Sequence, residues 1–504
     1  MSLKLSSIPR LALAILIAGA FGSATAQERG GGERGPRPEQ HQQAGPGILR
    51  LLPGDSVTEH SIDTPKGKLA YTATAGTLAF FDQSGEQSAS VFYTAYVAKN
   101  GRPNRPLSFV FNGGPGAASA YLHLGLVGPR ILDLGSDPRN ATQTQLSDNP
   151  DTWLSFTDLV IVDPIGTGWS RTAKGDGAKG FWSVRSDADA MAKAIALYVA
   201  KNNRDGSPKY LVGESYGGFR AAKTARALQR DQGIVVSGIV MLSPLMEGWL
   251  TFGDDQSALR AALELPSLAA TELERKNALT PEALAAAEKF ALTDYLTTLT
   301  GPAPQGEAAR AFYERVAQVS GLPVDAVRHE NGFVTDAFVK RLREGKIVSR
   351  YDATFAVDDP FPEQRSPRGS DPILDGVTRA YGGAFASYAR NELGFKTEMT
   401  YSLLANDIAG NWDWDGGRGQ AGIDTDLRVL LSFNKSFKLL IAHGYSDLVT
   451  PYAMSRYVLD HLPPSDPPGR TQLKLYRGGH MVYLDPQSRH ALSADAAAFY
   501  RSGE

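Results

Sequence analysis

The 504-residue chain contains no cysteine at all. That excludes a disulfide framework, a thiol nucleophile and a thiolate metal site. An excess of one charge is missing too: the formal net charge is −2. No cluster of Lys and Arg forms the basic patch that nucleic acid or an anionic membrane surface would need, so neither is expected as a partner. Histidine is scarce, eight residues in all. None forms a helical pair at ligand spacing, and no carboxylate loop of calcium type is present, so no metal or other cofactor is expected. Long apolar runs are missing as well, apart from residues 11–21, which are too short to span a bilayer comfortably.

That run follows Lys4 and Arg10 and precedes Ala24-Thr25-Ala26. The pattern reads as an export signal over 1–26, removed from a periplasmic or secreted protein that keeps no membrane anchor. Residues 27–47 are rich in Gly, Arg, Pro and Gln and read as a disordered tether with nothing to bury.

What is present has a clear grammar. Alternating stretches at 68–73, 77–81 and 90–97 predict antiparallel strands. Short apolar runs at 107–111, 159–162, 210–212, 234–242, 437–442 and 473–476 predict buried strands, several separated by helical segments such as 187–201. Strands alternating with helices imply an α/β fold, a mainly parallel sheet with helices on both faces. Between 250 and 400 the strand signal vanishes and stretches such as 281–299 and 307–319 look helical. The expected layout is a core over 48–249 and 401–504, interrupted by a helical cap insertion at 250–400.

The chemistry is concentrated in Gly213-Glu214-Ser215-Tyr216-Gly217-Gly218, at a strand-to-helix junction. A serine between glycines at such a turn is the nucleophile-elbow pattern, which lifts Oγ clear of the sheet. A serine needs a base, and the base an orienting acid. His443 and His480 both follow predicted strands. Only His480 lies after an acid, Asp447, in the order serine, acid, histidine that this architecture uses; Asp485 follows the histidine and is the weaker acid. An oxyanion hole requires backbone N–H groups. Tyr216 supplies one, and the glycine-rich loop Phe111-Asn112-Gly113-Gly114-Pro115-Gly116 is placed to supply another.

Four motifs in order, Asn112 to Gly116, Val162 to Ser170, Gly213 to Gly218 and Gly479-His480-Met481, resemble the serine carboxypeptidases of the S10 type, here a bacterial exported member. The resemblance implies an α/β-hydrolase fold with a helical cap, and release of C-terminal residues from peptide substrates. It implies Ser215, Asp447 and His480 as the triad, with Gly114 and Tyr216 as oxyanion donors. Asn112, Gly113 and Glu214 would bind the substrate's terminal carboxylate. Trp169 would shape the substrate wall, and Met481 the leaving-residue pocket. A glutamate can hydrogen-bond a carboxylate only when protonated, so Glu214 requires a raised pKa.

The chain departs from the family at three places. Alignment on Gly128-Pro129 puts Leu126 where a second glutamate is usual, Val110 replaces a tryptophan, and Ala117 replaces a cysteine. Loss of the glutamate opens the alternative of an esterase, amidase, acyltransferase or other peptidase on the same triad; nearby Arg130 reads first as an ordinary surface arginine, with supply of charge to a carboxylate as its alternative.

Overall fold

The computed structural model describes residues 45–501, apart from 66, 100, 136–143, 365–368 and 465–466. The export signal and most of the tether lie outside the described residues. The described chain belongs to one compact unit. Among the described residues no helix is long and apolar enough to cross a membrane.

Nine strands and one two-residue strand form a single sheet. They are β1 (Ser56–Thr64), β2 (Gly67–Phe81), β3 (Gln87–Ala98), β4 (Leu107–Phe111), β5 (Asp158–Val162), β6 (Lys209–Glu214), β7 (Gly238–Leu242), β8 (Lys438–Gly444) and β9 (Thr471–Tyr476). The spatial order is β1-β2-β3-β5-β4-β6-β7-β8-β9. The strands from β5 to β9 pair in parallel, whereas β1, β2 and β3 join them antiparallel. The expected 68–73 and 77–81 strands are one continuous strand, β2, with Gly76 inside it. The apolar run at 234–242 is only half strand. Gly233 turns left-handed (φ 63°) at the end of the preceding helix, and the Ile234 amide bonds back to Leu228, which delays the strand to Gly238.

The period-two alternation of the parallel strands divides the interior into two cores. Phe109, Phe111, Leu211, Ile239, Met241, Leu439 and Ile441 enter one, with helices α1 (Val184–Lys201) and α2 (Tyr216–Ala227) packed on it. Val110, Val212, Val240, Leu242, Leu440 and Ala442 enter the other.

The 250–400 stretch is not one helical cap. Helices from α3 (Ala258–Arg275) to Thr335–Arg341 gather around their own apolar cluster, which includes Leu448 of the sheet-end loop. A hairpin, Lys346–Val348 with Ala356–Asp358, follows; its strands of three residues are too short to leave an alternation signal. Helix α4 (Pro372–Asn391) lies on the sheet, its Phe385 against Phe92 and its Tyr388 bonded to Tyr96.

Candidate active site

Register brings the motifs to one edge of the sheet. Phe111 pairs with Gly213, Leu242 with Glu214 and with Ala442, and Gly444 with Tyr476. The chain therefore leaves β4, β6, β8 and β9 at their C-terminal ends toward Asn112, Ser215, Asp447 and His480, the edge where functional groups of such sheets collect.

Ser215 caps α2 with φ 59° and ψ −126°, a strained conformation for a residue bearing Cβ. The strain is held from both sides: its amide bonds to Leu242 O, and its carbonyl accepts from Gly218 and Leu245. The turn is so tight that a Cβ on Gly213 would lie 2.0 Å from the Gly217 oxygen. Tyr216 is the first residue of α2, where an N–H has no intrahelical acceptor.

Asp447 and His480 meet. Asp447 Oδ2 lies 2.9 Å from His480 Nδ1, while Oδ1 accepts the amides of Val449 and Thr450 at 2.8 and 3.0 Å. The Thr450 hydroxyl is 2.9 Å from Asp447 Oδ2 and 3.1 Å from His480 Nδ1. Burial acts to raise the Asp447 pKa, but the neighbouring histidines and the Thr450 amide outweigh it and hold it low. Burial likewise acts against a charged His480, yet Asp447 and Glu214 prevail and raise its pKa. The Ser243 hydroxyl bonds the His480 carbonyl at 2.9 Å and Tyr351 packs edge-on against its ring. His443 is different. It is fully buried, its Nε2 is 2.8 Å from the Ser455 hydroxyl, and its Nδ1 stands 3.9 Å from Asp447. Asp485 caps the last helix by accepting the Ser488 amide at 2.7 Å.

Ser215 and His480 line one cleft of about 230 Å³ together with Asn112, Gly113, Gly114, Glu214, Tyr216 and Met481. Glu214 is 4% exposed, and among the described residues it has no ion pair. Burial pushes its pKa up to about 7, against the pull of His480, the Tyr483 hydroxyl and the Asn112 amide. The Asn112 side-chain oxygen accepts the Leu122 amide at 3.0 Å, and its backbone carbonyl accepts from Arg220. Arg220 is itself buried and held by Asp187 at 2.7 Å.

One expectation fails. Trp169 is not on the cleft: it is 3% exposed, packed among Phe92, Phe385, Phe395 and Tyr401, and its Nε1 donates to Met399 O. A large ring within reach of four others gains more from that cluster than from water. Arg130 pairs with Asp148 at 2.5 Å and Glu392 at 3.4 Å, and is not a cleft residue. Leu126 is fully buried in the second core, so nothing acidic reaches Glu214 from there.

The sequence reading left the rest of the lining unassigned. Tyr121, Tyr351 and Leu374 stand on the Glu214 side, and Phe252, Trp414 and Arg418 beside Tyr216. Thr450 had a signal of a kind, a hydroxyl three residues beyond the acid. The others carry no motif, whether on a helix, as Tyr121 and Leu374 are, or elsewhere.

Residues 67–245 match the family described as serine carboxypeptidase. Serine carboxypeptidase-like 29 of Arabidopsis thaliana is 26% identical over 162 residues, 32% of each chain. A pheromone-processing carboxypeptidase of Cryptococcus gattii is 28% identical over 199 residues, 38% of this chain and 28% of that one. The chain thus spans about a third of the length of these curated relatives. A prohormone-processing carboxypeptidase from Saccharomyces cerevisiae superposes with a TM-score of 0.56 at 15% identity, covering 86% of this chain and 92% of that one; this likeness shows the α/β-hydrolase fold. Over residues 67–245 the chain is thus similar in sequence to the serine carboxypeptidase family.

Proposed function

We propose that the chain is a serine-type carboxypeptidase that releases C-terminal residues from peptides. The observation that carries this reading is the 2.9 Å Asp447–His480 pair on the same cleft as the strained Ser215 and the near-neutral Glu214. Ser215 Oγ attacks the carbonyl carbon of the last peptide bond and its proton passes to His480, whose imidazolium Asp447 stabilises. The amides of Gly114 and Tyr216 face the developing oxyanion. Collapse expels the terminal residue, whose amine takes the proton from His480. Water then attacks the acyl-enzyme with His480 again as base, and the shortened peptide leaves.

Asn112, Gly113 and Glu214 hold the terminal carboxylate, with protonated Glu214 donating to it. Export through the 1–26 signal to the periplasm or beyond completes the reading. The test compares a peptide bearing a free C-terminus with its C-terminal amide. Faster cleavage of the free acid, kept in Glu214→Gln without the wild type's alkaline decline, supports the reading; equal rates on both peptides in the wild type overturn it.

A further inference from the structure

The two sides of the cleft stand on opposite faces of the sheet. Tyr121 and Met481, which line the cleft with Glu214, belong to the second core. Tyr216 and Leu245 belong to the first, with Phe252 and Trp414 packed against it. The Tyr216 ring meets those of Trp412 and Trp414 edge-on, and Phe252 meets Trp414 in the same way. On this aromatic wall lies Arg418. Its guanidinium carbon is 3.7 Å from the centroid of Phe252 and 5.6 Å from that of Trp414.

Among the described residues Arg418 is the one Lys or Arg that lines the cleft, and no carboxylate pairs with it. Burial alone acts on its pKa, lowering it, with no acidic group bearing on it. Its backbone is tied down: a Cβ on Gly248 would come within 2.0 Å of the Arg418 carbonyl, and the Gly248 amide bonds Ala421 O at 2.6 Å. A guanidinium held over a ring face can still present N–H groups in the fork that matches a carboxylate.

We propose that Arg418, stacked on Phe252 and Trp414, selects substrates whose residue on the acyl side of the cleaved bond carries an acidic side chain. The placement rests on the carboxypeptidase reading. A peptide whose terminal carboxylate lies on the Glu214 face and whose scissile carbonyl sits at Ser215 must run its preceding residue onto the opposite face. There the side chain meets Arg418.

The test is a two-by-two set of blocked dipeptides: Glu or its neutral isostere Gln on the acyl side, each with a free or an amidated C-terminus. At pH 6 a substrate glutamate is ionised. The wild type is expected to show a Glu/Gln ratio in kcat/KM of about ten-fold, the value of one charge-assisted pair. Arg418→Gln should bring the ratio to near one, Arg418→Lys should retain part of it, and Arg418→Glu should favour a Lys substrate. A wild-type ratio of one or below, or a ratio untouched by Arg418→Gln, overturns the proposal. So does loss of the free-acid preference in Arg418→Gln with the Glu/Gln ratio intact, since Arg418 would then hold the terminal carboxylate. Failure of the carboxypeptidase reading appears separately: free and amidated peptides would react alike, while the Glu/Gln ratio would still report on Arg418.

Discussion

The Glu214 side and the Arg418 side of the cleft serve the same serine but solve opposite electrostatic problems. Glu214 lies on the second-core side, where burial makes its charge costly and keeps the neutral acid the stable form up to about pH 7. Arg418 opens a short exposed helical turn, keeps its charge in contact with water, and holds its guanidinium over Phe252 with Trp414 alongside. In the proposed reading a carboxylate is received in two ways, by a proton on a buried acid or by a cation at an exposed edge. The first is set by pH and the second by ionic strength.

The experiments that break this comparison can be ordered by size. Ser215→Ala removes the group both sides serve; a loss of about 10⁶ in kcat is expected, with disappearance of fluorophosphonate labelling. Retained labelling would place the nucleophile elsewhere. Arg220→Met strikes the frame behind the Tyr216 side. It strands Asp187 in the core without its partner and leaves the Asn112 carbonyl unbonded, so a loss of about 3–5 kcal/mol in urea unfolding is expected. A change under 1 kcal/mol would show that the pair is dispensable to the fold.

Glu214→Gln separates the pH behaviour of the two sides. The folded pKa of Glu214, about 7, lies above the ordinary 4.5 of an unfolded glutamate. Its contribution to stability is therefore full below pH 4.5 and is lost as pH rises through 7. Replacement by Gln removes that dependence, so the variant should gain on the wild type by on the order of 3 kcal/mol between pH 4 and pH 8. In activity, wild-type kcat/KM on free-acid peptides should fall above pH 7 as Glu214 deprotonates, and the variant should lose that alkaline limb. A parallel stability profile in both proteins would mean that Glu214 is not buried as described. The smallest effect is expected from Phe252→Leu, which removes one stacking ring: the Glu/Gln ratio should fall about two- to five-fold. An unchanged ratio would assign the positioning of Arg418 to Trp414 alone.

Sequence and structure agree where chemistry compresses several demands into a few residues. The elbow needs glycine, serine and glycine in order, and the acid and histidine must follow particular strands, so Ser215, Asp447 and His480 could be named in advance as a set that the fold then gathers. The strand alternation likewise shows which residues face which core. The walls of the cleft were not legible. Trp414 and Arg418 lie more than 190 residues from Ser215, in a segment whose residues satisfy no periodicity, and their use depends on a loop anchored through Gly248. Trp169 failed for the converse reason: a motif shared with the family carries an aromatic residue, but the motif does not say whether its ring faces solvent or the Phe385 side of the core.

The abutment of the first glycine loop on the elbow has a consequence for redesign. A Cβ on Gly113 would lie 2.5–2.6 Å from backbone atoms of Glu214, Tyr216 and Gly217, and one on Gly217 would lie 2.6 Å from the Phe111 carbonyl. The two segments are moulded to each other main chain against main chain, so a library that varies either one spends its diversity on chains that cannot assemble the nucleophile. New substrate preferences are better sought at Trp414 and Arg418, which line the cleft from outside both of these segments.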